Sequence, residues 1–241
     1  MLWIVIPAKN EAKRIRKTLD AYLHFFWQAK VVVAYVDSTD ETQKILDEYA
    51  TRFADRFYYI HVLPVVGNSK GRALRDGFAY VCGLAKSDDL VGFVDADNSL
   101  PPPEFAKLIT RLDQADVAIA SRYLPKSELI DRDSRLRVLA SLFFRKIVKL
   151  LFQLPVVDTQ CGGKVFRGSS LCSLLPQLHV DDMVIDVEIL YWLYRQKKNI
   201  IEVPVIWRED QASTISTSFT HFINTSLHMI FSLIKLRFLN R

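Results

Sequence analysis

Along the first 123 residues, short apolar runs alternate with segments whose apolar residues recur every three or four positions. "LWIVIP" (2–7), "VVVAYV" (31–36), "FYYIHVL" (57–63), "LVGFVDAD" (90–97) and "DVAIASR" (116–122) have strand length. They are too continuously apolar for a sheet with one wet face, so they read as strands buried on both sides. Between them, residues 10–26 place Ile15, Leu19, Tyr22 and Leu23 at helical spacing. Residues 41–53, 70–85 and 103–114 continue the helical pattern. Strands alternating with helices predict an α/β fold, a mostly parallel sheet covered by helices. Ligands of such sheets bind beyond the carboxyl ends of the strands. The segments to inspect are therefore Pro7–Glu11, Asp37–Asp40, Gly67–Gly71, Asp95–Ser99 and Ser121–Tyr123.

After residue 123 the alternation stops. "SRLRVLASLFFRKIVKLLFQLP" (134–155) is a basic amphipathic helix, with Leu136, Leu139, Phe143, Ile147, Leu150 and Leu151 beside Arg145, Lys146 and Lys149. Such a helix either packs on a core or rests on an anionic membrane surface. "IIEVPVIW" (200–207) reads as a late strand. The tail has no Asp, Glu, Lys or Arg from Ser213 to Ile234 but is rich in Ser, Thr, Asn and His. It is expected to lie on protein or at a membrane interface rather than to span a bilayer.

Composition narrows this picture only in part. The chain has 241 residues, 50% hydrophobic, with no linker or repeat. That predicts one domain, divided into 1–123, 124–212 and a C-terminal amphipathic helix over 213–241. A net charge of +5 suits a nucleic acid, an anionic membrane or a phosphorylated ligand, and does not choose among them. Cys82, Cys161 and Cys172 are odd in number and lack CxxC spacing. They suggest neither a zinc site nor a disulfide framework, and point to a reducing compartment. The opening apolar run is strand-length and lacks a basic leader and a cleavage site, so it reads as a strand, not a signal peptide.

The chemistry gathers in "FVDADNSLPPPEF" (93–105). Asp95 and Asp97 after a strand suit Mg2+ or Mn2+, hard cations that take oxygen ligands. A second reading makes Asp97 or Ser99 the cap of a helix opened by the prolines. Arg137 and Ser141 are four apart and share one helix face. Cys161 has glycine neighbours at 162 and 163, which suit a tight turn rather than a nucleophile. The five histidines show no metal spacing.

Six stretches, in order, resemble family 2 glycosyltransferases of the GT-A fold: "VIPAKNEAKRI", "SKGRALRDG", "FVDADNSLPPPEF", "ASRY", "DTQCGGKVF" and "MVIDVEILY". "DTQCGGKVF" (158–166) is similar to the D-T-Q-C-G-F-K-L-F of dolichyl-phosphate β-glucosyltransferases. The resemblance implies a metal-dependent, inverting hexose transfer from a nucleotide sugar, UDP-glucose favoured over GDP-mannose, to a polyprenyl or dolichyl phosphate. It implies Asp95 and Asp97 as metal ligands, and Pro7, Ala8, Asn10, Glu11, Asp37, Lys70, Asp95 and Ala96 around the donor. It implies Arg122, Arg137 and Ser141 on the acceptor phosphate, with Arg132 and Arg135 close enough to substitute for Arg137. Asp97, Asp158 and Asp186 are the expected catalytic carboxylates, Asp158 as a base if a proton must be taken. The implied setting is peripheral, at the cytosolic face of a membrane, without nucleic acid. Oligomeric state is left open.

The departures are specific. "AYVDSTDET" stands where the family has D-D-G-S-x-D-x-T, so Asp37 replaces either the second aspartate or the glycine. Lys9 replaces a tyrosine, Ser69 a glycine, and Ser99 the glutamine of related mannosyltransferases. These leave two rivals: transfer to a sugar or protein hydroxyl, which needs a base, and a non-catalytic nucleotide- or lipid-binding relative. The Q-x-x-R-W of processive synthases is absent.

Overall fold

The computed structural model describes residues 1–53, 59–67, 69–130, 135–209 and 219–238, with the side chains of 59, 135–137 and 219–223 left aside. The predicted strands form as β1 (Leu2–Ala8), β2 (Lys30–Val36), β3 (Tyr59–Val65), β4 (Leu90–Val94) and β5 (Val117–Ser121). The predicted helices form as α1 (Ile15–Phe25), α2 (Thr42–Arg52), α3 (Lys70–Cys82) and α4 (Pro102–Ile109). The chain then adds β6 (Glu128–Ile130), α5 (Arg135–Phe152), β7 (Gly163–Arg167), α6 (Gly168–Cys172), α7 (Ile185–Arg195), β8 (Ile200–Pro204), β9 (Ile206–Arg208) and α8 (Phe219–Phe238).

The seven-stranded sheet has the order β3-β2-β1-β4-β7-β5-β8, and β6 pairs with β9 beside it. Every pairing in the large sheet is parallel except those of β7, which runs against both β4 and β5. The chain moves outward from β1 to β3 and returns to the other side of β1 as β4. That reversal opens a crevice between the ends of β1 and β4. Because β7 is reversed, it begins at the edge where its neighbours end. Residues 158–162, which lead into β7, therefore meet the carboxyl-end loops.

Strand residues alternate between two cores. Trp3 and Val5 of β1 face a cluster completed by α3, α5, α7 and α8, whereas Ile4 and Ile6 face one completed by α1, α2 and α4. The long apolar strands are thus explained by a sheet covered on both faces. The single late strand expected over 200–207 is two strands separated at Val205, pairing with different sheets. The prolines do open a helix: Pro101 is its N-cap residue, without a side-chain cap.

The cysteine expectation needs correction. Cys82, ending α3, and Cys172, ending α6, form a disulfide, leaving Cys161 buried and free. The residues are 90 apart in sequence, so spacing rules for local motifs gave no hint of it.

One ion pair lies wholly inside the protein. Lys164 of β7 is 0% exposed and its Nζ donates to Asp186 Oδ1 of α7 at 2.5 Å and to the Cys161 carbonyl at 2.8 Å. Burial by itself would raise the Asp186 carboxyl; Lys164 and then Lys70 outweigh it and hold the group below its ordinary range. A depressed carboxyl stabilises the fold above its unfolded pKa of about 3.9, and that contribution is lost as pH falls through the lower folded value. Asp186→Asn should cost about 3–5 kcal/mol, since it strands buried charge. It should also flatten the acid side of a urea-unfolding profile recorded from pH 7 down to the acid transition. An unchanged acid slope would show that Asp186 is not the linked group.

Candidate active site

The crevice is built from two turns that each need a left-handed residue. Asn10 (φ 53°) follows β1, and Asn98 (φ 56°) follows the aspartates beyond β4. Asparagine tolerates this conformation better than most residues. Asn10 ties the first turn to the loop after β2: its N–H donates to Ser38 Oγ, and its Oδ1 accepts from the Thr39 N–H at 2.8 Å. Thr42 Oγ1 and Asp40 Oδ2 accept the N–H groups of Glu11 and Ala12. Asp37 itself is exposed, and the hydrogen bonds that tie this loop to the first turn come from Ser38, Thr39 and Asp40.

The loop after β4 is held from below. The Ala96 carbonyl accepts Thr18 Oγ1–H at 2.6 Å, and the Leu100 carbonyl accepts Tyr22 O–H at 2.8 Å. Asp97 Oδ1 accepts the Ser99 N–H at 2.9 Å, closing a local turn rather than capping α4. Burial raises the Asp97 carboxyl, and repulsion from Asp95 adds to the rise. Glu11 is pushed up to about 7, first by burial; Arg14 opposes this through a double hydrogen bond at 2.7 Å, and Asp97 and Asp95 reinforce it. Three carboxyls crowd one end of the crevice, and a cation would relieve their repulsion.

Asp95 leans the other way. Its Oδ1 lies 2.9 Å from Lys70 Nζ, which also lies 3.2 Å from Asp186 Oδ2. The result is an unbroken row of alternating charge, Asp95–Lys70–Asp186–Lys164, running from the crevice into the core. Lys70 stays protonated: desolvation opposes its charge, but Asp186 and Asp95 raise its pKa above the ordinary value. Gly162 makes the row possible, because a Cβ there would collide with the Asp95 carboxylate. Lys164 escaped the sequence reading, since a lysine inside an apolar strand leaves no pattern of its own. Its place in "CGGKVF" was the only available signal.

Asp158 and Arg122 occupy the far side, after β5. Asp158 Oδ2 accepts the Arg122 N–H and Nε–H at 2.9 and 2.8 Å, and Oδ1 accepts from NH2 at 2.9 Å. Burial opposes ionisation of Asp158, but Arg122 prevails and keeps its carboxyl low. The Arg122 guanidinium sits 5.3 Å from the Trp207 ring. The Asp158 N–H is itself held by Glu202 Oε1 at 3.0 Å. Glu188, two residues after Asp186, turns away and accepts the N–H groups of His179 and Val180. Ser141 of α5 reaches Tyr123, hydroxyl to hydroxyl, at 2.8 Å. Arg137 belongs to α5, but its side chain, like Arg132, lies outside the described residues, and nothing is described of the Arg135 side chain. Buried Asn98 Oδ1, Ser121 Oγ, Thr159 Oγ1 and Gln160 Nε2 have no hydrogen-bond partner among the described residues. Pro7 and Ala8 are buried at the end of β1 and shape the floor.

A model of glycosyl transferase family 2 matches residues 3–174. Dolichyl-phosphate beta-glucosyltransferase of Saccharomyces cerevisiae is 28% identical over 235 residues, covering 89% of this chain and 69% of that protein. The Homo sapiens protein of that name is 28% identical over 256 residues, covering 99% and 76%. Among solved structures, Mycobacterium tuberculosis glucosyl-3-phosphoglycerate synthase with Mn2+, uridine-diphosphate-glucose and phosphoglyceric acid is 18% identical with a TM-score of 0.69. That match covers 98% of this chain and 79% of the other, and the shared fold is the GT-A fold. The strand-end crevice, its paired aspartates and the family match agree: this chain is a glycosyltransferase of family 2.

Proposed function

We propose that the protein transfers glucose from UDP-glucose to a polyprenyl phosphate of the dolichyl type, with inversion at the sugar carbon. The observation that carries this reading is the carboxylate pair at the β1/β4 crevice, backed at Asp95 by the buried Lys70–Asp186–Lys164 row. Similarity to dolichyl-phosphate beta-glucosyltransferases along most of the chain supports the donor and acceptor class.

Asp95 and Asp97 fit a Mg2+ or Mn2+ ion. Among the described residues no three His, Cys, Asp or Glu side chains gather as a metal site. Two carboxylates suffice for such an ion when diphosphate oxygens and water supply the other ligands. When bound, the ion would offset charge on the departing nucleoside diphosphate. The other roles belong to the chain. Lys70 adds fixed positive charge where the donor diphosphate lies. The 1–123 half, with Pro7, Ala8, Asn10, Glu11 and the loop around Asp37, frames the nucleotide. The orphaned polar groups of Ser121, Thr159 and Gln160 are available for sugar hydroxyls. A phosphate acceptor has a second pKa of about 6, so it is ionised at neutral pH and needs no strong base. Asp158, held low by Arg122, then serves to orient that arginine. Asp186 holds Lys70.

The acceptor half, 124–212 with the C-terminal helix, is read as peripheral at the cytosolic face of a membrane. No helix among the described residues is long and apolar enough to cross one. Leu139, Phe143 and Leu150 of α5 and Leu227, Phe231 and Phe238 of α8 are exposed, up to 79% at Leu150. The two helices touch, so their apolar side chains together offer a surface to lipid. The Cys82–Cys172 bond is the feature that fits a cytosolic setting least. Alkylation of acid-quenched cells should find both thiols protected if the bond persists in vivo.

The test is incubation with UDP-glucose, Mn2+ and a polyprenyl phosphate, reading out radiolabelled glycolipid. Product from UDP-glucose and not GDP-mannose supports the reading; no product with any nucleotide sugar sinks it. Asp97→Ala should abolish transfer while the thermal transition stays within a few degrees. Gly162→Ala should reduce kcat by about 10²-fold, because displacing Asp95 by about an ångström misaligns the site. Wild-type turnover from Gly162→Ala would remove Asp95 from the donor site.

A further inference from the structure

The acceptor end of the crevice holds a cation with no carboxylate partner among the described residues. Arg122, the expected phosphate ligand, already spends its Nε and one terminal nitrogen on Asp158. Arg145 differs. It makes no ion pair among the described residues, and its buried Nε has no hydrogen-bond partner there. Its guanidinium lies 3.6 Å over the centroid of the Tyr123 ring. Residues 141 and 145 are one turn apart on α5 and share a face, and Ser141 bonds the same Tyr123 at 2.8 Å. Tyr123 follows Arg122 at the end of β5, so this group borders the site directly.

Each element of the arrangement favours an anion. Stacking on the ring desolvates one face of the guanidinium and fixes its plane, leaving the in-plane N–H groups to be satisfied. In the Tyr123–Ser141 pair, one hydroxyl proton is used in the mutual hydrogen bond. The other remains to donate outward. A planar guanidinium and a free hydroxyl proton match the oxygens of a phosphate monoester.

We propose that Arg145, stacked on Tyr123 and flanked by Ser141, binds the phosphate of the acceptor. This rests on the reading of a phosphate-bearing acceptor above. It assigns the contact to a residue one turn beyond the Arg137–Ser141 pair and leaves Arg122 as a positioning residue. The chemistry recognised is a phosphate monoester, whether a lipid headgroup or a water-soluble phosphate.

Calorimetric titration of the full chain, with UDP and Mn2+ present, separates the cases. The probes are a short-chain polyprenyl phosphate in detergent and glycerol 3-phosphate. The proteins are wild type, Arg145→Ala, Arg145→Lys and, as a neighbouring charge control, Lys146→Ala. Arg145→Ala should weaken phosphate binding by about 10- to 100-fold, the scale of a charge-assisted hydrogen bond. Arg145→Lys should fall between, and Lys146→Ala and the affinity for UDP should stay at wild-type values. An effect on the lipid probe alone identifies a headgroup site; an effect on both identifies a general monoester site. Equal affinity in wild type and Arg145→Ala, equal losses in Arg145→Ala and Lys146→Ala, or no binding of either probe to wild type would overturn the assignment. Arg145-dependent binding without glucose transfer would instead refute the function proposed above and leave this inference standing.

Discussion

The site depends on a row of four charges that enters the core from the crevice. Lys164 has no exposed surface and neutralises one oxygen of Asp186. The second oxygen faces Lys70, which in turn meets Asp95 at the mouth. Isolated, any member would carry a large desolvation cost. Alternation of sign removes most of that cost and makes the row cooperative: shifting one charge exposes the next. The loop after β4, α3, α7 and β7 each contribute one member, so the row also fastens both helices to the sheet.

The same logic separates the two sides of the cleft. On one side, Asp97 and Glu11 are crowded carboxyls raised by burial and mutual repulsion, which Arg14 offsets only in part. On the other side, Asp158 and Arg122 satisfy each other, and Arg145 makes no ion pair among the described residues. The metal-bound diphosphate and the anionic acceptor proposed above are the chemical complements of these two environments. Fixed charges arranged in advance stabilise a reacting pair without reorganisation at the moment of reaction.

Much of this was legible in the chain. Strands such as 31–36 are apolar at every position because both sheet faces are covered, and that is visible as composition. Asp95 and Asp97 follow a strand, so the sheet-edge rule located them without coordinates. Other features were not legible. β7 is short and reversed, and its opening glycine and lysine resemble a loop. The Cys82–Cys172 pairing joins residues 90 positions apart. The hydrogen bonds by which Ser38, Thr39 and Asp40 tie the loop after β2 to the turn after β1 were not legible either, because they join residues about 28 positions apart.

By itself the sequence determined the alternation of elements, the layering of the sheet and which loops carry chemistry, since each follows from periodicity along a few neighbouring residues. Tertiary structure alone decided the partners. Lys164 became a buried counterion because antiparallel β7 runs between β4 and β5, beneath α7. Arg122 and Arg145, alike as basic residues, differ in surroundings because one meets Asp158, whereas the other lies over the Tyr123 ring and makes no ion pair among the described residues. Charge pairing is a matter of a few ångströms, and sequence separation does not encode it.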